Sequence, residues 1–433
     1  MLQDLVNILI IAVLVSFLMF TSIIPHQFAK SQQKFAQTEF VEEGKPKLFD
    51  SHLKITTVAE GLSTPTTMAF VGPNDILVLE KDTGMVKRIV DGKVLPKPVL
   101  DVNVANSVER CLCGIAISKD GSTTHVFLYY TEIDGTDGED KSGKQPIGNR
   151  VYRYDLSGDA LINPLLLMDL PANPGPRHNS GNIMIGPDKN LYVEIGDVDG
   201  SFKTSETETK TQNYKNGVDP DGRGGILRIT QDGQPIDGIL GDTIPLRLYY
   251  AYGIRNSFGM DFDPVSGNLW DSENGPGNGD EINLVLPGFN SGWQQVQGLA
   301  SQETSFSESD LEDFNGKGHY ADPKLVWVNT AGPTAVKFLN SSKLGTTYEN
   351  DMFVGDVHNG RIYHFDLTAD RKDLVLPQEL SSRVIEKPSS PGVSNIVFGD
   401  GFGGVTDLEV GPDGNLYVVS IGLGSIFQIS PAS

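Results

Sequence analysis

Residues 251–293 read AYGIRNSFGMDFDPVSGNLWDSENGPGNGDEINLVLPGFNSGW and contain three short apolar runs between clusters of Gly, Pro and Asn. Runs of about five residues bounded by such turn formers predict β-strands, here at residues 258–262, 268–273 and 281–286. Arg255 and Asn256 precede the first predicted strand, and the Gly-rich residues 273–280 follow the second. Because irregular polar loops often carry function, this stretch predicts both a β-fold and a site.

The same pattern recurs along the chain from Leu53 onward. Its marker is the first turn of each unit, which reads VGPNDILV, SKDGSTTHVFLYY, GPDKNLYV, DPVSGNLW or GPDGNLYV. Repeated units of three or four strands without intervening helices are typical of a β-propeller. The last unit has only three strands, and Leu53–Ala59 (LKITTVA) could supply its fourth. We therefore predict an all-β, six-bladed β-propeller of four-stranded units over residues 53–433, closed by Leu53–Ala59.

The alternating strand direction within a blade sorts the loops onto two faces. The regular turns between first and second strands share one face. The loops between second and third strands and the links between blades share the other, where the irregular polar segments fall: residues 177–179, 255–256, 273–280 and 356–359, and Cys111–Cys113. Polar residues gathered on one face of a rigid scaffold predict a site at the mouth of the central channel.

The N-terminal segment predicts attachment to a membrane. Residues 6–24 are apolar and uncharged, which is long enough to span a bilayer, and no small-residue cleavage site follows. We expect residues 1–30 to form a membrane anchor or an uncleaved signal helix, and residues 31–52 to form a polar tether. Lys30 and Lys34 follow the apolar segment, and by the positive-inside rule they would place the body in the cytoplasm.

The composition argues against some classes of partner. The formal net charge is −22, whereas nucleic acids and anionic membrane surfaces are bound by basic faces. The chain has 48 Gly and 25 Pro, which suits a turn-rich β protein. Clustered Asp and Asn in Gly-rich loops are compatible with calcium.

The two cysteines, Cys111 and Cys113, are separated by one residue. On a strand their side chains would point the same way with Cα atoms about 6.5–7 Å apart, at or beyond the limit for a disulfide. Two buried thiols are therefore expected, and a two-thiolate metal site is the alternative.

Three motifs resemble one enzyme family. GPRHNSGNIMIGPDKNLYVEIGD, YGIRNSFGMDFDPVSGNLW and ENGPGNGDEINLVLPGFNSGW resemble, in the same order, motifs of the soluble quinoprotein glucose dehydrogenases and the aldose (glucose/sorbosone) sugar dehydrogenases. The resemblance extends from about Leu53 to the C-terminal end. It implies a propeller that binds pyrroloquinoline quinone (PQQ) and calcium and oxidises an aldose, passing electrons to a separate acceptor. It also implies an extracytoplasmic protein, membrane-anchored or secreted, which outweighs the argument from Lys30 and Lys34.

The resemblance also implies roles for single residues. His178 matches the catalytic base that takes the sugar hydroxyl proton, and a structural, hydrogen-bonded His is the alternative. Arg255 and Asn256 match residues that contact the cofactor, and Arg255 also faces the developing charge in the reaction. A guanidinium suits a quinone oxygen or a carboxylate, although an Arg that ties adjacent blades together would look the same in the sequence.

Metal ligands are implied in the Gly-rich loop. Gly275 and Pro276 match positions whose main-chain carbonyls hold calcium, and this role needs irregular backbone rather than a particular side chain. Asp280 and Glu281 are candidates for a second, structural ion, and a capped Gly turn explains them equally well.

The sequence departs from the family at three basic positions. The family segment Gly-Arg-Ile-Arg-Asp is replaced by residues 403–407, Gly-Gly-Val-Thr-Asp, so that Gly404 and Thr406 stand where arginines are expected. His358 replaces a cofactor-binding lysine. Burying the three carboxylates of PQQ without cationic partners is costly. Besides the sugar dehydrogenase, two alternatives therefore stay open: a non-catalytic propeller that binds carbohydrate or protein, and a calcium-dependent lactonase-like hydrolase.

Overall fold

The structure, a computed structural model, describes residues 45–179, 181–198, 208–304 and 306–432. All of them belong to one compact unit, Val41–Ser433. The strands of its first half are Lys47–Leu48 (β1), Leu53–Ala59 (β2), Pro65–Gly72 (β3), Asp75–Glu80 (β4), Met85–Val90 (β5), Lys93–Val94 (β6), Leu100–Asp101 (β7), Leu112–Asp120 (β8), Thr123–Glu132 (β9), Gly148–Ser157 (β10), Ala160–Leu170 (β11), Ile183–Ile185 (β12), Leu191–Ile195 (β13), Gly225–Ile229 (β14) and Tyr249–Tyr252 (β15).

The second half continues the same β-structure. Its strands are Ser257–Phe262 (β16), Leu269–Glu273 (β17), Asp280–Val285 (β18), Phe289–Asn290 (β19), His319–Tyr320 (β20), Leu325–Trp327 (β21), Pro333–Phe338 (β22), Met352–Asp356 (β23), Ile362–Phe365 (β24), Val384–Ile385 (β25), Val397–Asp400 (β26), Val405–Val410 (β27), Leu416–Ser420 (β28) and Ser425–Pro431 (β29). Short 3₁₀ helices lie at Glu139–Ser142, Lys210–Gln212, Leu246–Leu248, Ala300–Gln302, Glu308–Asp310, Gln378–Leu380 and Val393–Asn395.

These strands form six sheets, numbered I to VI along the chain. Their strand orders are β3-β4-β5-β6 with β7 also on β5 (I), β8-β9-β10-β11 (II), β12-β13-β14-β15-β19-β20 (III), β16-β17-β18-β21-β25 (IV), β22-β23-β24-β26-β1 (V) and β27-β28-β29-β2 (VI). The first strands of neighbouring sheets contact one another, as in β3 with β8, β8 with β12, β16 with β22, β22 with β27 and β27 with β3, and β13 contacts β16. The sheets therefore form the closed ring of a propeller.

The predicted closing strand is confirmed. β2 pairs antiparallel with β29, with Leu53 opposite Pro431 and Thr57 opposite Phe427. This pairing covers the outer edge of β29, which would otherwise present unpaired backbone groups. An early segment of the chain thus completes the sheet that the last strands begin.

The predicted fold class is wrong as stated, because the sequence units do not map onto regular four-stranded blades. Among the described residues only sheets II and VI have four strands. Short loop segments extend the others: β19 pairs parallel with β15 of the preceding unit, with Ala251 opposite Phe289, and β1, within the predicted tether, pairs with β26. Beyond β18 and β24, sheets IV and V continue with the short strands β21 and β26.

The helical part of that prediction is also unsupported. The described residues contain no helix that is long and apolar enough to cross a membrane. The predicted anchor at residues 6–24 lies outside the described residues. The corrected fold class is an all-β propeller of unequal sheets, in which the helices of the described residues are short 3₁₀ turns.

Two of the turn motifs that revealed the repeat are built alike. Asp188 accepts hydrogen bonds from the Asn190 backbone N–H at 3.1 Å and from the Tyr192 hydroxyl at 3.0 Å. The same bonds are made by Asp413, Asn415 and Tyr417. Because an Asp side chain that bonds the backbone two residues on stabilises a tight turn, the GPDxNLYV motif specifies its own hairpin.

The core consists of a separate apolar cluster between each pair of neighbouring sheets. Trp270 and Phe338, for example, are buried between sheets IV and V, and Phe127 and Tyr249 between sheets II and III. Close-packed interiors of this kind are rigid on average. They hold the loops at the ends of the sheets in fixed relative positions.

The prediction of two buried thiols is wrong, because Cys111 and Cys113 form a disulfide with a Cα–Cα distance of 5.2 Å. Cys111 precedes β8 rather than lying in it. The pairing of β8 with β9 also shifts register between Leu112 and Gly114. The chain is therefore not fully extended here, and the separation falls into the range that a disulfide requires.

Replacing Cys111 and Cys113 with serine should lower the free energy of unfolding by only about 1–2 kcal/mol. The disulfide closes a loop of three residues, and the entropy that a cross-link removes from the unfolded chain is smallest for short loops. Denaturant unfolding of the wild type and the double variant, both without reductant, measures the difference. A loss several times larger would show that the sulfur atoms also support the packing around Gly181, which approaches Cys113 closely.

Candidate functional site

Most of the predicted site residues lie in loops at one end of the ring, while Asp280, Glu281 and Thr406 lie at the beginning of strands β18 and β27. His178 precedes β12 and Arg255 precedes β16, while Gly404 precedes β27. Gly275 lies in the β17–β18 loop and His358 in the β23–β24 loop. These segments are the links between sheets and the loops between second and third strands. The alternating strand directions predicted that both kinds of segment lie on the same face.

His178 is held by a buried carboxylate. Its Nδ1 lies 2.6 Å from Oδ1 of Asp197, and the two residues are 5% and 0% exposed. The other Asp197 oxygen, Oδ2, accepts a hydrogen bond from the Trp293 indole N–H at 2.8 Å. The Asp197 backbone N–H donates to the Arg255 carbonyl at 2.9 Å. No described residue hydrogen-bonds to Nε2 of His178, so Asp197 fixes the ring through one nitrogen and leaves the other available for chemistry.

Glu109 links His178 to Asn256 and was missed by the sequence analysis. Its Oε2 accepts the His178 backbone N–H at 2.6 Å and the Asn256 side-chain amide at 3.1 Å. His178 has φ +56°, a left-handed conformation that is uncommon for non-Gly residues, and the Glu109 bond supports it. Glu109 belongs to no quoted motif, but it lies two residues before Cys111 on the face that the loop sorting had selected.

Arg255 contacts the loop that was predicted to bind calcium. Its Nη1 donates to the carbonyls of Asn274 at 2.6 Å and Gly275 at 2.8 Å, and its guanidinium lies 5.3 Å from the centre of the Trp293 ring. The Arg255 backbone N–H donates to Glu273. Burial lowers the pKa of Arg255, against the opposing effect of nearby carboxylates. Its Nε is enclosed and has no hydrogen-bond partner in the part of the chain that the structure describes, so this part of the site contains an unused donor.

Asp280 joins two of the site loops. Its Oδ1 accepts the Gly275 backbone N–H at 2.9 Å. Its Oδ2 accepts the Thr330 hydroxyl at 2.7 Å and the backbone N–H groups of Ala331 and Gly332 at 2.8 Å each. Asp280 is completely buried, and both of its oxygens are already hydrogen-bonded within the protein.

Glu281 is satisfied in the same way. Its Oε1 accepts the Gly298 backbone N–H at 2.6 Å and the Gln297 amide at 3.0 Å. Its Oε2 accepts bonds from Asn283 at 3.2 Å and Ser291 at 3.3 Å. Burial raises the pKa of Glu281 well above its usual value. All the donors around this carboxyl group are neutral, and they connect it to the segment that contains Ser291 and Gly298.

The three positions that depart from the family lie at the same end of the ring. His358 donates its backbone N–H to the Ala331 carbonyl, and its Nδ1 lies 3.4 Å from the Thr330 carbonyl. Thr406 donates its hydroxyl to the Pro65 carbonyl at 3.1 Å. Gly404 has φ +94°, and a Cβ there would lie 3.1 Å from the Val357 carbonyl oxygen. The left-handed backbone therefore disfavours an arginine at position 404.

Glu109→Ala should lower kcat/KM about 10- to 100-fold, since it removes the acceptor that orients both His178 and Asn256. Hydrogen bonds to charged groups contribute about 1.5–3 kcal/mol, which corresponds to this range. Glu109→Gln keeps an oxygen acceptor and should recover most of the loss. Steady-state kinetics of the three proteins test the prediction, and equal activity of the alanine variant would show that Glu109 does not position the site.

Comparison with known proteins identifies the class that this fold and site define. The family model described as Glucose / Sorbosone dehydrogenase matches residues 62–426. The chain is 31% identical over 290 residues to quinoprotein glucose dehydrogenase B of Acinetobacter calcoaceticus, covering 63% of this chain and 55% of that one. It is 23% identical over 386 residues to the aldose sugar dehydrogenase YliI of Escherichia coli K12, covering 88% and 93%.

A solved structure of the same class has a similar fold. The PQQ-bound form of an aldose sugar dehydrogenase from Streptomyces coelicolor superimposes with a TM-score of 0.60 at 23% identity, covering 90% of this chain and 98% of that one. The chain belongs to the glucose/sorbosone dehydrogenase family. The resemblance of the three motifs is thereby confirmed, as is the prediction that the chain is an oxidoreductase-type enzyme.

Proposed function

We propose that this protein oxidises an aldose at the mouth of the ring, using PQQ and calcium, outside the cytoplasm. The observation that carries the proposal is the arrangement of the buried His178 and Asp197 with Trp293 beside Arg255. A base fixed by a carboxylate, next to a cationic donor, is the arrangement that hydride abstraction from an alcohol requires. The matched family and its sugar dehydrogenase members support the same chemistry.

His178 acts as the general base in this proposal. The sugar hydroxyl gives its proton to Nε2, while the C–H bond at the same carbon breaks and its hydride leaves. Asp197 holds the ring at Nδ1 and stabilises the imidazolium that results, as a buried carboxylate does for a catalytic histidine. Trp293 in turn fixes Asp197 through the indole N–H. The oxidised sugar leaves as a lactone, and the electrons pass to a separate acceptor.

The residues around Arg255 fit one end of PQQ. PQQ, when bound, supplies the quinone that accepts the hydride. The enclosed Nε of Arg255 has no partner, and a buried donor without an acceptor costs about 1–3 kcal/mol, so an acceptor such as a quinone oxygen would satisfy it. Asn256 lies beside it, held by Glu109. Arg255 and Asn256 are therefore the residues that we propose to hold the cofactor, with His358 at the edge.

The carbonyls of Gly275 and Pro276 are the proposed calcium ligands. Both belong to the irregular β17–β18 loop, and calcium prefers oxygen ligands of this kind. Asp280 holds the Gly275 backbone N–H and so supports the loop. The Gly275 carbonyl also accepts a hydrogen bond from the Arg255 guanidinium, so a calcium ion held there would lie next to Arg255.

Thr406→Arg should tighten PQQ binding roughly tenfold. The added guanidinium would form a charge-assisted hydrogen bond with a buried carboxylate of PQQ. Position 406 tolerates the change better than position 404, where φ is +94°. Thr123→Arg, at the exposed first residue of β9, is the control for added charge. Titration of PQQ absorbance measures the three affinities, and equal affinities would show that the carboxylates bind elsewhere.

The proposed function is tested by reconstituting the purified protein with PQQ and calcium and recording absorbance spectra with and without aldoses. Reduction of the cofactor by an aldose is the expected result. Binding of an aldose without any oxidation, even by Thr406→Arg, would favour the non-catalytic binding propeller, for which the missing basic residues are the supporting observation. Failure to bind either ligand would contradict both.

A further inference from the structure

A second group of acidic residues lies between sheets III and IV and takes no part in the proposed reaction. Glu194 of β13 and Asp271 and Glu273 of β17 are completely buried, and Glu281 of β18 is 1% exposed. Asp271 stands opposite Asn283, and Glu273 stands opposite Glu281. Residues directly opposite on antiparallel strands lie on the same face of a sheet. The side chains of each of these two pairs therefore lie side by side on one face of sheet IV.

The hydrogen bonds that the described residues give to this group come from neutral donors. Glu194 and Asp271 are bonded by Ser257, and Glu273 by Ser291 and a backbone N–H. Glu281 receives only amide, hydroxyl and backbone donors. Ionised carboxylates cannot remain buried together without compensation by protons or by a cation.

Three buried oxygen atoms within the group have no hydrogen-bond partner among the described residues. They are Oε2 of Glu194, Oδ1 of Asp271 and Oδ1 of Asn283. The Asn283 oxygen is an independent indication, because it belongs to a neutral amide that is 1% exposed. That amide donates to Glu281 at 3.2 Å and lies opposite Asp271. Buried polar groups in native proteins are nearly always satisfied, so these acceptors indicate a missing proton or a missing cation.

Ser257 brings two of the carboxylates together without being able to satisfy both. Its Oγ lies 2.7 Å from Oε1 of Glu194, 3.1 Å from Oδ2 of Asp271 and 3.0 Å from the Ser272 carbonyl oxygen. A hydroxyl has one hydrogen to donate. The single Ser257 hydrogen can therefore satisfy only one of these three acceptors, and the close approach of the other two is unfavourable unless a carboxyl proton or a cation beside them compensates it.

We propose that Glu194, Asp271 and Asn283 bind a calcium ion between sheets III and IV, with the Ser257 hydroxyl as a further oxygen ligand. Carboxylate, amide and hydroxyl oxygens form the ligand set of a hard divalent cation, and its charge offsets the buried carboxylates. The site differs from the proposed calcium site at Gly275 and Pro276, which uses main-chain carbonyls of a loop. It differs also from Asp280 and Glu281, whose oxygens are already hydrogen-bonded.

Such an ion would be enclosed during folding, since its ligands are almost wholly buried. Binding would then contribute directly to the stability of the folded protein. It would join β13 of sheet III to β17 and β18 of sheet IV, directly beneath the loops that hold Arg255 and Gly275. The inference does not depend on PQQ or on sugar oxidation.

The test uses the full chain, unfolded and refolded with calcium or with chelator, in the absence of PQQ. Bound calcium is counted by elemental analysis after gel filtration, and Tm is measured with and without calcium. The isosteric double variant Glu194→Gln/Asp271→Asn should bind one equivalent less than the wild type and lose the calcium-dependent part of the Tm increase. Asp261→Asn is the matched control, because Asp261 is a buried acid of sheet IV that lies 3.7 Å from Lys337.

Equal calcium content in the wild type and the double variant would overturn the proposal and show that the carboxylates retain protons instead. A wild type that refolds equally well with chelator and contains no calcium would overturn it too. If the double variant does not fold, the single variant Glu194→Gln is compared by the same calcium count. Failure of the proposed sugar oxidation leaves all of these results unchanged, so the two proposals can fail separately.

Discussion

His178→Ala is expected to lower the turnover of an aldose about 10²–10⁴-fold, the usual contribution of a positioned general base. The fold and PQQ affinity should change little, because Asp197 keeps its bond to Trp293 and its backbone bond to Arg255. His178→Gln should be almost as inactive. It can form a hydrogen bond to Asp197, but an amide cannot take the proton of the sugar hydroxyl.

The matched control for this prediction is His125→Ala. His125 also pairs with a carboxylate, Oδ1 of Asp155 at 2.8 Å from its Nδ1, but it lies near the β8–β9 turn rather than in a site loop. Turnover is measured with PQQ, calcium and an artificial electron acceptor, and PQQ affinity is measured separately. Full activity of His178→Ala would remove His178 from the reaction, while equal losses in both variants would point to a general effect on folding.

Asp280→Ala should lower the free energy of unfolding on the order of 3–5 kcal/mol, among the largest effects expected from a single substitution. The change removes the acceptor for four donors: the Gly275, Ala331 and Gly332 backbone N–H groups and the Thr330 hydroxyl. These groups lie around a completely buried side chain, so water cannot easily replace it. The two loops that Asp280 joins should also lose their fixed separation.

Asp159→Ala is the control for the loss of a carboxylate as such. Asp159 bonds Arg88 at 2.8 Å, but its side chain is 78% exposed, and exposed ion pairs contribute only about 0–1 kcal/mol. Denaturant unfolding of both variants gives the comparison. If Asp280→Ala were as mild as Asp159→Ala, the donors around position 280 would have found other partners, and Asp280 would not support the site.

The strands of the repeat were predictable because each unit carries its own turn chemistry. The strands predicted at residues 258–262 and 281–286 correspond to Ser257–Phe262 and Asp280–Val285 in the structure. They were predictable because apolar alternation and Gly/Pro/Asn turns act locally. The short strands β19 and β1 were not predictable. They have two residues each and pair with strands outside their own unit, which local patterns do not encode.

The site was predictable where a residue lies in a loop motif, as His178 and Arg255 do. Asp197 and Trp293 lie inside the quoted motifs EIGD and GFNSGW, but their roles depend on a contact between residues nearly a hundred positions apart. Glu109 was missed because it lies outside the three motifs, and Glu194 was missed because a polar strand residue resembles an ordinary outward-facing position of a half-exposed strand. Only the packing of sheet III against sheet IV reveals that Glu194 is buried.

The pairing of β2 with β29 has a consequence for biosynthesis. β2 leaves the ribosome before any sheet is complete, whereas β29 follows almost all of the described chain. Until β29 emerges, the nascent ring stays open, and both β2 and the first strand of sheet I lack their final neighbours. Contacts between such distant residues form slowly, and an exposed strand edge can pair with another chain. The ring can therefore close only after β29 has been synthesised, and until then its open edges are available to other chains.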